Sequence, residues 1–243
     1  MPKPSLRRNL EFNWTLVLIV VMALFLRLFG LTNSLTDWHS FRQADTASVT
    51  REYVNHGIDL LHPTYQDLGN IQSGLENPHG YRMVEFPFIN AGLAVILRTF
   101  PVLDLVILSR LFSILCSLGT VVSLYYLGKR WANPAVGYLS AFVFASLPYA
   151  VYYSRVILPE PSFTFFVTLA ILAFDFWLEE RKWKWYCLSF IAFTLALLLK
   201  PFALFFAPIL AYLAVRHFKG RVFRQPALYL YGLTLVPLIW WRT

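Results

Sequence analysis

Charged side chains are scarce in this chain: only 14% of its 243 residues are Asp, Glu, Lys or Arg, whereas 58% are hydrophobic. Soluble domains typically carry about 25% charged residues, so the composition excludes an ordinary soluble protein. Repeated apolar runs long enough to cross a bilayer indicate an integral membrane protein built from α-helices. No small-residue cleavage site follows the first run, so we expect an uncleaved first span, not a signal peptide.

Cysteine and acidic residues are also few. Cys116 and Cys187 lie far apart within hydrophobic runs, which favours small packing residues over a disulfide, a metal site or a nucleophile. The formal net charge is +8, but the cations cluster in short loops, as is typical of topogenic charges, which argues against a nucleic-acid partner. Because no repeat or linker is visible, we expect residues 1–243 to form one membrane module. The front part of a longer protein is an alternative.

The apolar runs predict about seven transmembrane helices. Their ranges are 14–32, 105–127, 135–153, 162–178, 185–199, 201–215 and 227–241. The run 88–100 is ambiguous because it contains Arg98 and because its length, at ~1.5 Å per residue, reaches only about 20 Å of a hydrocarbon core ~30 Å thick.

The loop charges predict the orientation. One set of alternate loops holds nine cations: Lys129, Arg130, Arg181, Lys182, Lys184, Arg216, Lys219, Arg221 and Arg224. The other short loops hold only Arg155 and Lys200. Since positively charged loops stay in the cytoplasm, we expect the nine cations and the N-terminus there. This requires that 88–100 lies along the outer interface or re-enters. The first outer loop, 33–104, then faces outward.

The first outer loop contains the run DWHSFRQADTASVTREY (37–53) and the run GYRMVEFP (80–87). In the first run we expect a juxtamembrane helix that carries Asp45, with Ser40 as its cap. The residues expected on its imperfect apolar face are Phe41, Ala44, Val49 and Tyr53. Asp37 is a weaker candidate acid. Glu85 lies directly before Phe86-Pro87, near apolar surface, where a carboxylate can become a general base.

The predicted topology gathers ionisable residues that are distant in sequence at the outer face. They are Arg27, Asp45, Glu85, Arg110, Arg155, Glu160 and Lys200. Charges at membrane depth often mark function, although snorkelling or ion pairing is an equal alternative for any single one. Cations there suit a lipid-linked phosphate, which Arg can grip with its planar fork. The histidines of the loop are irregularly spaced and do not favour a metal site.

The order of the motifs resembles that of GT-C glycosyltransferases. The Asp-bearing helix after span one, the EFP motif, SRLFSILCSLGTVVSLYYLGKRW and SRVILPEPSFTFF are together similar to dolichyl-phosphate-mannose protein mannosyltransferases, aminoarabinose transferases and rhizobial galacturonosyltransferases. The similarity covers nearly the whole chain. Each motif is loose, but their order and spacing are specific.

The resemblance implies an all-α GT-C module and an inverting sugar transfer from a polyprenyl-phosphate-sugar donor to a glycan, lipid or protein acceptor. Asp45 corresponds to the family's first-loop acid, and Glu160 to the acid after span three. Glu85-Phe86-Pro87 stands where the family has Glu-Lys-Pro, without the lysine. Arg42-Gln43 stands where related sequences often have an acidic pair. Such enzymes usually continue with further spans or a C-terminal domain.

We therefore expect a membrane glycosyltransferase of the bacterial inner membrane, active on the outer face. Asp45 or Glu85 is the expected base, and the donor phosphate is expected at Arg155, Lys200 and Arg110. The residues expected to contact the sugar or the acceptor are Glu160, Arg42, Gln43, His39, Tyr81 and Arg82. A divalent metal ion is left open as a cofactor. The alternatives are a flippase for lipid-linked sugars, although no inverted repeat is visible, and a truncated, non-catalytic GT-C-like protein.

Overall fold

The computed structural model describes residues 13–35, 39–68 and 76–242, and within these ranges all of the regular elements are helices, apart from one isolated bridge between Thr64 and Tyr81. Its α-helices are α1 Trp14–Leu28, α2 Ser40–His56, α3 Phe88–Thr99, α4 Leu105–Trp131, α5 Pro134–Ser146, α6 Pro148–Tyr153, α7 Glu160–Glu180, α8 Trp183–Leu199, α9 Ala207–Phe218, α10 Pro226–Tyr231 and α11 Val236–Arg242. Three 3₁₀ segments cover Pro201–Phe206, Lys219–Arg224 and Gly232–Leu235. The predicted all-α class is confirmed.

Three helical stretches are long and apolar enough to cross a membrane: Leu105–Trp131, Glu160–Glu180 and Pro201–Arg224. The apolar helices α1, α3, α5 and α8 are shorter. Helix is present in every predicted span, but 135–153 is divided between α5 and α6. The break lies at Leu147, which is extended because the following residue is Pro148, and proline disfavours the helical conformation of the residue before it. The number of crossings stays a prediction.

Close helix packing holds the bundle together. The backbones of α4 and α5 touch, since a Cβ on Gly128 would lie 2.9 Å from the Cα of Gly137. On the α7 side of α4, a Cβ on Gly119 would lie 2.3 Å from the ring of Phe165. Small residues permit such approaches between apolar helices. The largest buried hydrophobic cluster joins α7 and α8 to the segment 203–238.

Polar contacts show which helix ends lie together. Asn13, just before α1, donates to the hydroxyl of Tyr125 at 2.7 Å and accepts from that of Tyr138 at 2.9 Å. Near the other end of α1, Arg110 of α4 donates to the carbonyl of Leu31 at 2.8 Å. α1 and α4 are therefore antiparallel. The end that holds Leu31 is called the insert side below, because residues 39–68 and 76–104, called the insert, lie there. The end that holds Asn13 is called the opposite side.

Helices α2 and α3 pack together on the insert side. Asn90 of α3 donates to the carbonyl of Thr46 at 2.8 Å and to the hydroxyl of Thr50 at 2.9 Å. Before α3, the amide of Phe86 donates to the carbonyl of Leu198 at 3.0 Å, close to the end of α8. In the last turn of α3, Arg98 donates to the carbonyl of Val54 at 3.1 Å. Both ends of α3 are thus held by insert-side partners.

The helix predicted to carry Asp45 is present as α2, but its predicted cap is wrong, and of its predicted apolar face only Val49 and Tyr53 are buried. Ser40 is the first helical residue, and His39 takes the cap position with φ 60° and no capping side-chain bond. Phe41 is 70% exposed and Ala44 is exposed as well. The buried residues are Gln43, Ala47, Ser48, Val49, Thr50 and Tyr53. α2 buries a mixed face, because it meets polar groups of α3 and of the loop before α7 as well as the apolar residue Ala94 of α3.

Candidate active site

The first element of the site is an ion pair between Asp45 and Arg82. Asp45 lies in the second turn of α2, and the turn Asn77–Gly80 brings Arg82 beside it. Nη1 of Arg82 donates to Oδ2 of Asp45 at 3.0 Å, and the two side chains are only 7% and 12% exposed. The guanidinium also lies over the ring of Tyr65, with 5.3 Å to its centroid. Its Nη2 has no hydrogen-bond partner among the described residues.

A second ion pair joins Arg42 to Glu85. Arg42 lies one turn before Asp45 on α2, and its Nη2 donates to Oε1 of Glu85. The position of Glu85 is fixed by its neighbour Phe86, whose amide is bonded to the end of α8 and whose ring packs edge-on against Trp241. As expected from its apolar flanks, Glu85 is largely buried, with 15% of its side chain exposed.

The third ion pair comes from the helical bundle itself. Lys200 directly follows α8, and its ammonium group donates to Oε1 of Glu160 at 2.5 Å. Glu160 is the first residue of α7, where Pro159 and Pro161 fix the helix start. Its Oε2 is buried and has no hydrogen-bond partner within the described ranges.

The three pairs lie within electrostatic reach of one another. The charge on Glu85 is stabilised by Arg42, Arg82 and Lys200 and opposed by Glu160. Burial nevertheless outweighs these charges and raises the pKa of Glu85 above its ordinary value. The pKa of Asp45 is raised for the same reason, against the effect of Arg82 and Arg42. Burial also lowers the pKa of the Arg82 guanidinium. Raised carboxyl pKa values are typical of groups that accept protons in catalysis.

A narrow cavity of about 40 Å³ lies where the insert meets the bundle. Arg82, Glu85 and Asn90 contribute from the insert, and Ser113 and Ser162 from α4 and α7. This volume holds a few atoms, since one water needs roughly 10–15 Å³ by the same measure. Asn90 and the two serines were not predicted as site residues. A signal for Asn90 was present, because it is the only polar uncharged side chain within the first four residues of α3.

Gln43 lies beside this site and is fully buried. Its Oε1 accepts a bond of 3.3 Å from the amide of Ile157 in the loop before α7. The hydroxyl of Ser113 binds the neighbouring carbonyl of Val156 at 2.9 Å. These two bonds position the loop that leads into Glu160.

Arg110 and Arg155 lie at the end of α1, where their guanidinium groups bind backbone carbonyls. Arg110 donates to Leu31 at 2.8 Å and to Asn33 at 2.5 Å. Arg155 donates to the carbonyl of Phe29 and fills the space beside Gly30, whose φ is +75°. Arg155 therefore binds the carbonyl of the residue that caps α1, and Arg110 binds carbonyls of the turn that follows it. None of the ion pairs of the site includes either residue.

His39 and Tyr81 lie at the exposed edge of the insert. The ring of His39 is 5.7 Å from that of Tyr153, and Tyr81 lies between His62 and His79, at 5.8 and 5.3 Å. Asp37 falls outside the described residues. In the ranges 13–35, 39–68 and 76–242, no three His, Cys, Asp or Glu side chains are grouped closely enough to hold a metal ion. The described residues thus contain no ligand set for the divalent ion left open above.

Comparison with known protein families gives a match that covers much of the chain. Residues 87–241 match the model of the dolichyl-phosphate-mannose-protein mannosyltransferase family. The match covers more than half of the chain, from the residue after Phe86 to Trp241, and it confirms the resemblance seen in the motifs. No curated protein matches the chain.

Proposed function

We propose, from the premise that the chain belongs to the dolichyl-phosphate-mannose-protein mannosyltransferase family of GT-C membrane glycosyltransferases, that it transfers a sugar from a polyprenyl-phosphate donor. The acceptor is a hydroxyl or amine of a glycan, lipid or protein, and the reaction takes place on the insert side. The observation that carries the proposal is the proximity of three ion pairs from the insert, α7 and the end of α8, of which Arg82 and Glu85 line one cavity.

The carboxylates supply the base. In the proposed reaction, Asp45 or Glu85 takes the proton of the acceptor as its oxygen or nitrogen attacks the anomeric carbon. The bond between that carbon and the phosphate oxygen breaks, the electron pair leaves with the polyprenyl phosphate, and the configuration is inverted. The raised pKa of each acid supports this role, because a base works best when its pKa approaches the working pH.

Cations stabilise the leaving phosphate. Lys200 and Arg82 are the best placed, since both line the acidic cluster and Nη2 of Arg82 has no partner among the described residues. Cations aimed at the charge that develops on the phosphate contribute more than a proton donor would. Arg110 and Arg155, the other two residues expected at the phosphate, bind carbonyls at the end of α1. We assign them the positioning of α1 beside the site.

The same proposal includes an orientation. The nine loop cations lie on the opposite side, so the positive-inside rule would place that side in the cytoplasm and the insert side outside the bacterial inner membrane. The chain would then cross seven times, with α3 along the outer interface. Its exposed apolar residues Val95, Ile96 and Phe100 suit that position.

Sugar transfer by the purified 243-residue chain, with polyprenyl-phosphate sugars as donors, tests the proposal. Asp45→Asn and Glu85→Gln are nearly isosteric, and we expect loss of the base to slow transfer by ~10²–10⁴-fold. Asp59→Asn is the matched control, because Asp59 lies in the same insert but is 58% exposed, and it should transfer at the normal rate. Normal rates in both Asp45→Asn and Glu85→Gln would refute the acidic centre. Donor movement across the membrane without product would favour a flippase.

A further inference from the structure

A second cavity, of about 360 Å³, lies away from the candidate active site and shares no residue with the first. It is a groove along α9 that runs from Ala207 to Val215 and ends at the 3₁₀ segment Lys219–Arg224. Its walls are almost entirely apolar, with side chains from α7, α8 and α10 such as Phe174, Phe193 and Leu228.

The groove opens sideways out of the bundle. Residues at its rim are exposed: Val215 by 52%, Tyr229 by 66% and Phe223 by 80%. The hydroxyl of Tyr229 donates to the carbonyl of Phe223 at 2.9 Å, which joins the two rim residues. Because α9 belongs to a stretch long and apolar enough to cross a membrane, we expect lipid chains around this opening.

Positive charge is concentrated where the groove ends. The segment that contributes Val222 and Phe223 to the wall also carries Lys219, Arg221 and Arg224. Among the described residues, no carboxylate lies within ion-pairing distance of these three cations, although two other cations on the same side, Arg130 and Lys182, are paired with acids.

The neighbouring Arg181 extends the cationic surface. It follows α7 in a left-handed conformation, and its guanidinium lies over the rings of Trp177 and Phe218, at 4.7 and 4.9 Å. It donates to Oε1 of Gln225 at 3.4 Å, just beyond the 3₁₀ segment. The charge is therefore held against the end of the groove by contacts with α7 and α9.

We propose that this groove binds one anionic phospholipid, with an acyl chain along α9 and the headgroup at Arg181, Arg221 and Arg224. The nine residues from Ala207 to Val215 span about 12 Å, which matches much of one leaflet of a hydrocarbon core ~30 Å thick. Cations that only set the orientation of a membrane protein need no cavity beside them. The joint presence of an apolar groove and cations without acidic partners is what a lipid phosphate with its chain requires.

Native mass spectrometry of the purified chain, with dioleoyl phosphatidylglycerol or dioleoyl phosphatidylcholine added in detergent, tests the headgroup. We expect one phosphatidylglycerol to be retained in preference to phosphatidylcholine. Arg221→Gln and Arg224→Gln should each weaken its binding about fivefold. Lys129→Gln is the control, because Lys129 lies on the same side but at the end of α4, and it should change nothing. Equal retention of the two lipids would overturn the proposal.

Filling the groove tests the acyl chain. Ala211→Trp and the milder Val215→Phe place a ring where the chain would lie, so both should lower phosphatidylglycerol retention. Leu139→Trp is the matched control, since Leu139 is 61% exposed on α5 and lies outside the groove. Gel filtration of each variant confirms that it remains folded. If neither groove substitution changes the retention of phosphatidylglycerol, this site is refuted. It is also refuted if no lipid is found because a second copy or another protein segment covers the groove.

Discussion

Arg27 is fully buried and binds the broken end of α5. Its guanidinium donates to the carbonyls of Ala145 at 2.9 Å and Phe144 at 3.1 Å, and its Nε donates to the hydroxyl of Ser117 at 2.8 Å. In an uninterrupted helix, the carbonyl of Phe144 would bind the amide of residue 148. That residue is Pro148, which has no N–H. Arg27 therefore supplies a hydrogen bond that the α5–α6 break removes.

We predict that Arg27→Met destabilises the protein by about 2–4 kcal/mol. Methionine is similarly long but leaves the carbonyls of Phe144 and Ala145 without a donor, and each buried unpaired carbonyl costs ~1–3 kcal/mol. Removal of a buried charge offsets part of this loss. Arg98→Met is the control, because Arg98 also donates to a carbonyl but at an exposed site, and its cost should stay below about 0.5 kcal/mol.

A double-mutant cycle with Pro148→Ala separates this explanation from a general loss of packing. Alanine restores an amide at position 148, so Phe144 can regain a helical partner and Arg27→Met should cost at least ~1 kcal/mol less in that background. The assay is unfolding of the four variants in mixed detergent micelles, followed by the change in helical circular dichroism. Strictly additive costs would refute the reasoning.

Three further predictions follow from the site and the orientation. In a cysteine-free background, a membrane-impermeant thiol reagent added to intact cells should label Val102→Cys and not Ala132→Cys; the reverse would overturn the orientation. Because burial raises the pKa of Glu85, its contribution to stability is present below the ordinary Glu pKa and lost as pH rises through the raised value. The melting temperature of Glu85→Gln should therefore gain on the wild type between pH 4 and pH 7, and a relative loss would mean that the Arg42 pair outweighs burial. Lys200→Met should weaken binding of a sugar-free polyprenyl phosphate by tenfold or more, whereas Arg155→Met should not; equal effects in a binding titration would contradict the assignment.

The positions of the helices were predictable from the sequence because apolar runs of sufficient length leave few other structures in a membrane. Their interruptions were harder to predict. Pro148 lies inside an apolar run that the sequence predicts as one span. The effect of this proline depends on Arg27, which comes from a helix more than a hundred residues away. The face of α2 was predicted only in part for a similar reason. Val49 and Tyr53 are buried as expected, but the burial of Thr50 depends on the polar partner Asn90, which no hydrophobic periodicity reveals.

The sequence singled out Asp45, Glu85, Glu160 and Lys200, and the structure places these four residues in one cluster. Their pairing was not predictable, because it depends on how the segment after the turn Asn77–Gly80 meets α2. A cation at the outer face also has two possible partners, a ligand or the carbonyls of a helix end. Arg110 binds carbonyls, and this could be recognised only when the position of the end of α1 was known.

The three ion pairs of the site contain equal numbers of positively and negatively charged side chains. Arg42, Arg82 and Lys200 balance Asp45, Glu85 and Glu160, so the cluster is neutral when all six are ionised. A phosphate that enters it brings excess negative charge into poorly hydrated surroundings, where such an excess is costly. The two acids whose pKa is already raised are the groups most ready to neutralise it. Binding of a lipid phosphate is thus linked to proton uptake by one of the two acids, while the other stays ionised as the base, and the affinity should increase by up to about tenfold for each pH unit of acidification.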